Sequence, residues 1–110
     1  MPEKESYLCI SSELIDRKWY RKPGALMVFL YLLMTANISD GFCMGLPVYA
    51  GQAVTSMEVI AEKTGLPRSV VQLALICLTE AGDISPKSHG CFSVFTIHDY
   101  DLYLPETHAV

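Results

Sequence analysis

Hydrophobic residues in the middle of the chain recur at helical spacing, and this pattern predicts two helices separated by a tight turn. The first helix is predicted over residues 56–64, after a capping box formed by Thr55 and Glu58. Gly65 follows this helix, where a left-handed reversal of the chain is readily accessible to glycine. The second helix is predicted over residues 67–81, because proline suits the first turn of a helix. Together these elements indicate a helix-turn-helix unit.

The two sides of the second predicted helix differ in their chemistry. Its inward stripe recurs at helical spacing and consists of Val71, Ala74, Leu75 and Leu78. Its outward positions are Arg68, Ser69, Val70, Gln72, Leu73, Ile76 and Cys77. Only one of these outward residues is charged, whereas nucleic-acid binders normally present a basic surface.

Weaker signals predict the remaining elements. Two short β-like runs flank residues 88–90, which predict a hairpin turn. An earlier helix is predicted over residues 23–37. Apolar residues occupy nearly every side of this helix, which indicates that most of its sides are buried. Residues 42–54 predict a loop that leads into a third short strand, with a turn or bulge at Gly51. We therefore expect an α+β fold, a winged helix-turn-helix with three to four helices and a small antiparallel sheet.

The length of 110 residues indicates one domain, expected over residues 1–104, and residues 105–110 are expected to be a frayed tail. A hydrophobic content of 51% argues against disorder. The longest apolar run, residues 25–34, has about half of the roughly 20 residues that a membrane-spanning helix needs. The first residues also lack the order of charged and apolar positions that marks a signal peptide. We expect a cytoplasmic protein with no membrane partner.

Signatures of catalysis and of metal binding are missing from the sequence. The four cysteines form no C-x-x-C pair, and the three histidines form no pair at zinc-site spacing. The sequence contains no ordered Ser/His/Asp set, paired-carboxylate signature or phosphate-binding loop. We therefore expect no enzymatic activity, no cofactor and no metal site.

The charge balance is unfavourable for a nucleic-acid binder, because 8 Lys and Arg face 12 Asp and Glu, for a net charge of −4. The one dense basic cluster surrounds Trp19 and consists of Arg17, Lys18, Arg21 and Lys22. These cations are consistent both with phosphate contacts and with a solvated surface turn, and the two interpretations stay open. Trp19 itself is predicted to fill the core.

An ordered set of short pieces spans nearly the whole chain. The pieces are Trp19-Tyr20, Pro23, residues 29–37 (FLYLLMTAN), Gly51-Gln52, Ser56, Ile60-Ala61, Gly65-Leu66, Val71, Ala74-Leu75, Leu78, Gly82-Asp83-Ile84, Thr96-Ile97 and Tyr100-x-x-Tyr103. In this order they make the chain resemble the N-terminal winged-helix module of phage replication initiators and DnaD-like primosome-loading proteins. The resemblance implies a winged-helix fold and a role in DNA replication or in phage and mobile-element DNA transactions. Such proteins typically carry basic and polar residues on the outward side of the second helix, and here this chain departs from them.

The leading hypothesis is that the chain binds double-stranded DNA, with the second helix in the major groove. Arg68 would donate to guanine and Gln72 would pair with adenine. Further contacts, to phosphates or the minor groove, are expected from Ser69, Lys87, Ser88 and His89 and from the basic cluster. Useful affinity would require a dimer or a fused partner.

The alternative hypothesis is a protein-interaction or dimerisation module without sequence-specific DNA readout. It rests on an outward apolar strip formed by Val70, Leu73, Ile76 and Cys77. The strip would dock a second copy of the chain or a replication protein. A third option is that the N-terminal run or the tail covers the strip within one subunit.

Overall fold

Helices and strands alternate along the chain in a computed structural model that describes residues 8–10, 12–38, 40–43 and 45–103. In chain order the elements are α1 (Pro23–Thr35), β1 (Gly41–Cys43), β2 (Leu46–Val48), β3 (Gln52–Thr55), α2 (Met57–Thr64), α3 (Arg68–Glu80), β4 (Ile84–Ser88) and β5 (Ser93–Ile97). Two 3₁₀ helices, Ser12–Asp16 and Tyr100–Tyr103, precede and follow these elements. The predicted α+β class is confirmed. The frayed tail predicted over residues 105–110 lies outside the described residues.

The strands form two antiparallel sheets in the described part of the chain. β1 and β2 form a hairpin, and β3, β5 and β4 form a three-stranded sheet with β5 in the centre. The predicted β4–β5 hairpin is confirmed, with a loop over residues 89–92 in which Gly90 has a φ of 81°. The third strand is confirmed as β3. The prediction of a loop before the third strand, within residues 42–54, is wrong in part, because β1 and β2 form a hairpin there.

One hydrophobic core joins the three helices to one face of the three-stranded sheet. The largest fully buried side chains from the helices and the turn before α1 are Trp19, Phe29, Leu32, Leu33, Ile60 and Leu78. Burying an aliphatic or aromatic side chain of this size contributes about 1.5–3 kcal/mol. The predicted core position of Trp19 is confirmed, and its ring packs on Phe29 with 4.9 Å between ring centroids.

Helix α1 is apolar on every side and carries no charged residue. Val28, Phe29 and Leu32 are buried, whereas Met27 and Met34 are exposed. The prediction of burial on most sides is therefore confirmed, although one stripe of the helix stays uncovered by the described residues. None of the helices that the structure describes, α1 included, has the length and apolarity needed to cross a bilayer.

Helix α2 begins at a different cap from the predicted one. The Ser56 side chain accepts a hydrogen bond from the backbone N–H of Val59 at 3.2 Å, which makes Ser56 the N-cap. The predicted capping box of Thr55 and Glu58 is wrong, because Thr55 belongs to β3 and its side chain faces the core. The reversal after α2 is confirmed, and Gly65 adopts a φ of 78°.

Candidate interaction surface on the third helix

The outward side of α3 has an apolar centre in a polar surround. We call this surface the α3 face, and it consists of the exposed residues Ser69, Gln72, Leu73, Ile76 and Glu80. Leu73 is 64% exposed and Ile76 is 45% exposed. The two side chains are three positions apart and are therefore neighbours on the helix surface. The described residues leave both of them available to a partner.

Val70 and Cys77 lie beside the α3 face and not at its exposed centre, so they meet the predicted outward position only in part. Both are half-buried and lie on the flank of α3 that faces α1. A Cβ atom added to Gly24 in α1 would lie 2.7 Å from Cγ1 of Val70. The ammonium group of Lys22 donates a hydrogen bond to Sγ of Cys77 at 3.5 Å.

A groove separates the α3 face from the β4–β5 hairpin, and we call it the hairpin groove. It has a volume of about 580 Å³. Its apolar lining includes Met57, Leu75, Ile76, Pro86, Phe92 and Phe95. Two carboxylate residues, Glu58 and Glu80, also line it. Because Ile76 belongs to both surfaces, the apolar centre of the α3 face continues into an acidic, apolar groove.

Arg68, the residue expected to read guanine, is held by a neighbouring carboxylate. Its Nη2 atom lies 3.0 Å from Oε2 of Glu58 in α2. Both side chains are largely exposed, so this ion pair contributes at most about 1 kcal/mol. The pair nevertheless neutralises the one cation on the outward side of α3. Ser69 and Gln72 are exposed, as their predicted roles require.

Lys87, the cation of the β4–β5 hairpin, points away from the α3 face. Pro86 lines the hairpin groove, and successive residues of a strand point to opposite faces, so Lys87 points to the other side. Ser88 is exposed at the end of β4. His89 is half-buried, and its ring stacks on Phe92 with 5.5 Å between centroids. Lys87, the cation among these three predicted DNA contacts, therefore does not join the α3 face.

A buried carboxylate organises the segment before α1, which we call the basic turn (residues 17–22). Asp83 accepts a hydrogen bond from the indole N–H of Trp19 at 2.6 Å and forms an ion pair with Arg17 at 3.2 Å. Arg17 is thereby tied to the fold. Burial, together with the charge of Asp83, raises the pKa of the nearby Tyr103 phenol above 10.0. The neutral phenol therefore favours the folded state below pH 10, and this contribution is lost as the pH rises through the raised pKa.

The other three cations of the basic turn, Lys18, Arg21 and Lys22, are exposed and have no ion-pair partner among the described residues. Lys18 and Lys22 line a cleft of about 210 Å³ together with Glu80. The distance from the ammonium groups to the Glu80 carboxylate exceeds that of an ion pair. The basic turn therefore presents three positive charges that no described carboxylate pairs with, and two of them, Lys18 and Lys22, lie beside the C-terminal half of α3.

The basic turn and the hairpin groove lie on opposite flanks of α3. The cleft at the basic turn borders α3 at Cys77 and Ala81, whereas the hairpin groove borders it at Leu75 and Thr79. In a helix of 3.6 residues per turn these two pairs point to opposite sides. Glu80 lies between them and lines both clefts. Glu80 therefore places a negative charge between the basic turn and the hairpin groove.

Comparisons of the chain with protein-family models, with curated proteins and with solved structures found no match. The described side chains form no group of three or more His, Cys, Asp or Glu residues that could hold a metal ion. The function is therefore argued from the α3 face, the hairpin groove and the basic turn.

Proposed function

We propose that the chain is a winged-helix domain that acts as a protein-interaction module and docks through the α3 face. The winged-helix assignment is supported by the order of α1, β3, α2, α3, β4 and β5 along the chain. The strand order β3-β5-β4 and the contact of β4 with α3 also support it, because the β4–β5 hairpin then corresponds to a wing. In this assignment α2, Gly65 and α3 form the helix-turn-helix, and the β1–β2 hairpin is an insertion.

The interaction role rests on the exposure of Leu73 and Ile76 at the centre of the α3 face. A helix that reads DNA presents hydrogen-bonding side chains at such positions, because base edges are mostly donors and acceptors. Glu80 would repel phosphates. A protein interface has an apolar centre and a polar rim, and the α3 face has this arrangement. Burying each of the two apolar side chains favours association by about 1.5–3 kcal/mol before entropic costs.

Self-association of the chain can be measured without identifying any other partner. We expect the wild-type chain to show a concentration-dependent mass above that of the monomer in sedimentation equilibrium. The substitution Leu73→Glu should weaken this association by about 30-fold or more, because it replaces roughly 2 kcal/mol of apolar burial with a buried unpaired charge.

Met34→Glu provides the matched control, since Met34 on α1 is 66% exposed and lines none of the three clefts that border α3. This variant should associate like the wild type. A wild-type chain that stays monomeric at every concentration contradicts the proposal. Dissociation by Met34→Glu, with Leu73→Glu unaffected, would move the interface to α1.

A second candidate function, binding of double-stranded DNA in replication or mobile-element transactions, is favoured by a different observation. Lys18, Arg21, Lys22 and Lys87 are exposed and lack ion-pair partners among the described residues. If all four contact phosphates, a plot of the logarithm of the binding constant against the logarithm of the salt concentration should have a slope of about −4.

Titration with duplex DNA at low and moderate salt tests this second function. Lys87→Ala should reduce the salt slope by about 1, and Arg68→Ala should also weaken binding if Arg68 exchanges Glu58 for a base. Lys63→Ala on α2, outside the predicted contacts, is the control. Binding that is insensitive to salt, or to both substitutions, rejects the DNA role.

A further inference from the structure

We infer that the partner of the α3 face is a second copy of this chain, with the basic turn of each copy lying against the hairpin groove of the other. The inference rests on the proposed function and specifies which surfaces meet. Each copy carries both halves of the contact on the two flanks of α3. Such a reciprocal contact closes as a two-fold dimer.

The charges of the two surfaces are complementary. The basic turn presents Lys18, Arg21 and Lys22 without ion-pair partners in the described part of the chain. Glu80, at the border of the hairpin groove, likewise has no ion-pair partner among the described residues. In the reciprocal contact Glu80 of each copy faces cations of the other copy, and electrostatic complementarity of this kind sets the register of an interface.

The geometry selects one of two ways to pair the α3 faces. A two-fold axis parallel to α3 exchanges the flanks of the helix, so it sets the basic turn of one copy opposite the hairpin groove of the other. The same axis brings Leu73 and Ile76 of both copies to the centre of the contact. An axis perpendicular to α3 pairs the C-terminal half of one helix with the N-terminal half of the other. Glu80 is then remote from the second copy's cations.

The hairpin groove also has room for an apolar side chain from the basic turn. Tyr20 lies between the cations and is 37% exposed. Tyrosine is a common anchor at protein interfaces, because its ring is apolar and its hydroxyl group can still meet water or a polar partner. The groove volume of about 580 Å³ is within the range of sites that enclose such groups. Phe92 and Met57 line this groove and would contact the ring.

Charge reversal on one side of the contact tests the inference. Glu80→Lys and the double variant Lys18→Glu/Arg21→Glu should each weaken self-association about tenfold or more at low salt, because each homodimer then holds two repulsive contacts. An equimolar mixture should recover the wild-type affinity to within about threefold, since both contacts of the mixed dimer pair opposite charges. Raising the salt from about 0.05 to 0.5 M should shrink these differences.

Recovery by mixing excludes misfolding as the cause, because an unfolded variant cannot be rescued by its complement. Glu62→Lys, an exposed reversal on α2 outside both clefts, should associate like the wild type. If both reversed variants associate normally while Leu73→Glu dissociates, or if mixing restores nothing, the inference is wrong and the proposed function stands. If the wild type is monomeric, the proposed function itself fails.

Discussion

Replacing Asp83 with alanine is expected to lower the free energy of unfolding by about 2–4 kcal/mol. The Asp83 carboxylate is buried, and it accepts the indole N–H of Trp19 and pairs with Arg17. Its loss leaves the buried indole N–H without a partner, which costs about 1–3 kcal/mol, and removes a hydrogen bond to a charged group. The guanidinium group of Arg17 is 41% exposed and can be rehydrated, so it adds little to the cost. Urea denaturation monitored by circular dichroism measures the change.

Two further variants separate the contributions of Asp83. Asp83→Asn keeps an acceptor for the indole of Trp19 but loses the charge, so it should cost less than Asp83→Ala. Arg17→Ala alone should cost about 1–3 kcal/mol, because it removes the counter-ion of the buried Asp83 carboxylate. A free energy of unfolding for Asp83→Ala within about 0.5 kcal/mol of the wild type would contradict the structural role of this carboxylate.

Gly24→Ala is expected to destabilise the protein by about 1–3 kcal/mol, although alanine favours helices by up to about 1 kcal/mol over glycine. The new Cβ atom would lie 2.7 Å from Cγ1 of Val70, closer than the two carbon atoms can approach. Valine in a helix has one strongly preferred rotamer and cannot turn away. The clash must therefore separate α1 from α3. Thermal unfolding of the variant measures the loss.

A double-mutant cycle identifies the clash as the cause. In a Val70→Ala background the obstructing methyl group is gone, and Gly24→Ala should become neutral or stabilising. Gly41→Ala is the matched control, because no atom lies within 4 Å of the added Cβ and the backbone there has no positive φ. A stabilising effect of Gly24→Ala in the wild-type background would show that the helices have room to adjust.

The helix pair and the β4–β5 hairpin were predictable because their signals are local. Gly65 needs a positive φ, and Val71, Ala74 and Leu78 recur at helical spacing, so a short stretch of sequence carries the whole pattern. The β1–β2 hairpin was missed because its strands have three residues each and one contains Pro47. Such strands are too short to show an alternating pattern. Thr55 and Glu58 have the spacing of a capping box, so the sequence pattern alone favours Thr55 over Ser56 as the cap.

The candidate surface was only partly predictable for the same reason. The exposure of Leu73 and Ile76 follows from their position opposite the inward stripe. The burial of Val70 depends on Gly24, which is 46 residues away and permits α1 to approach that flank. The contact made by Asp83 could not be predicted from spacing, since its hydrogen-bond partner Trp19 is 64 positions earlier in the chain. Long-range contacts of this kind do not appear in residue spacing.

The Asp83 carboxylate also links two parts of the molecule that are distant in the sequence. Asp83 lies immediately before β4, and its contacts with Trp19 and Arg17 hold the basic turn that leads into α1. Asp83 therefore fixes the position of that turn relative to the start of the hairpin. A substitution at this residue is expected to disturb both elements together.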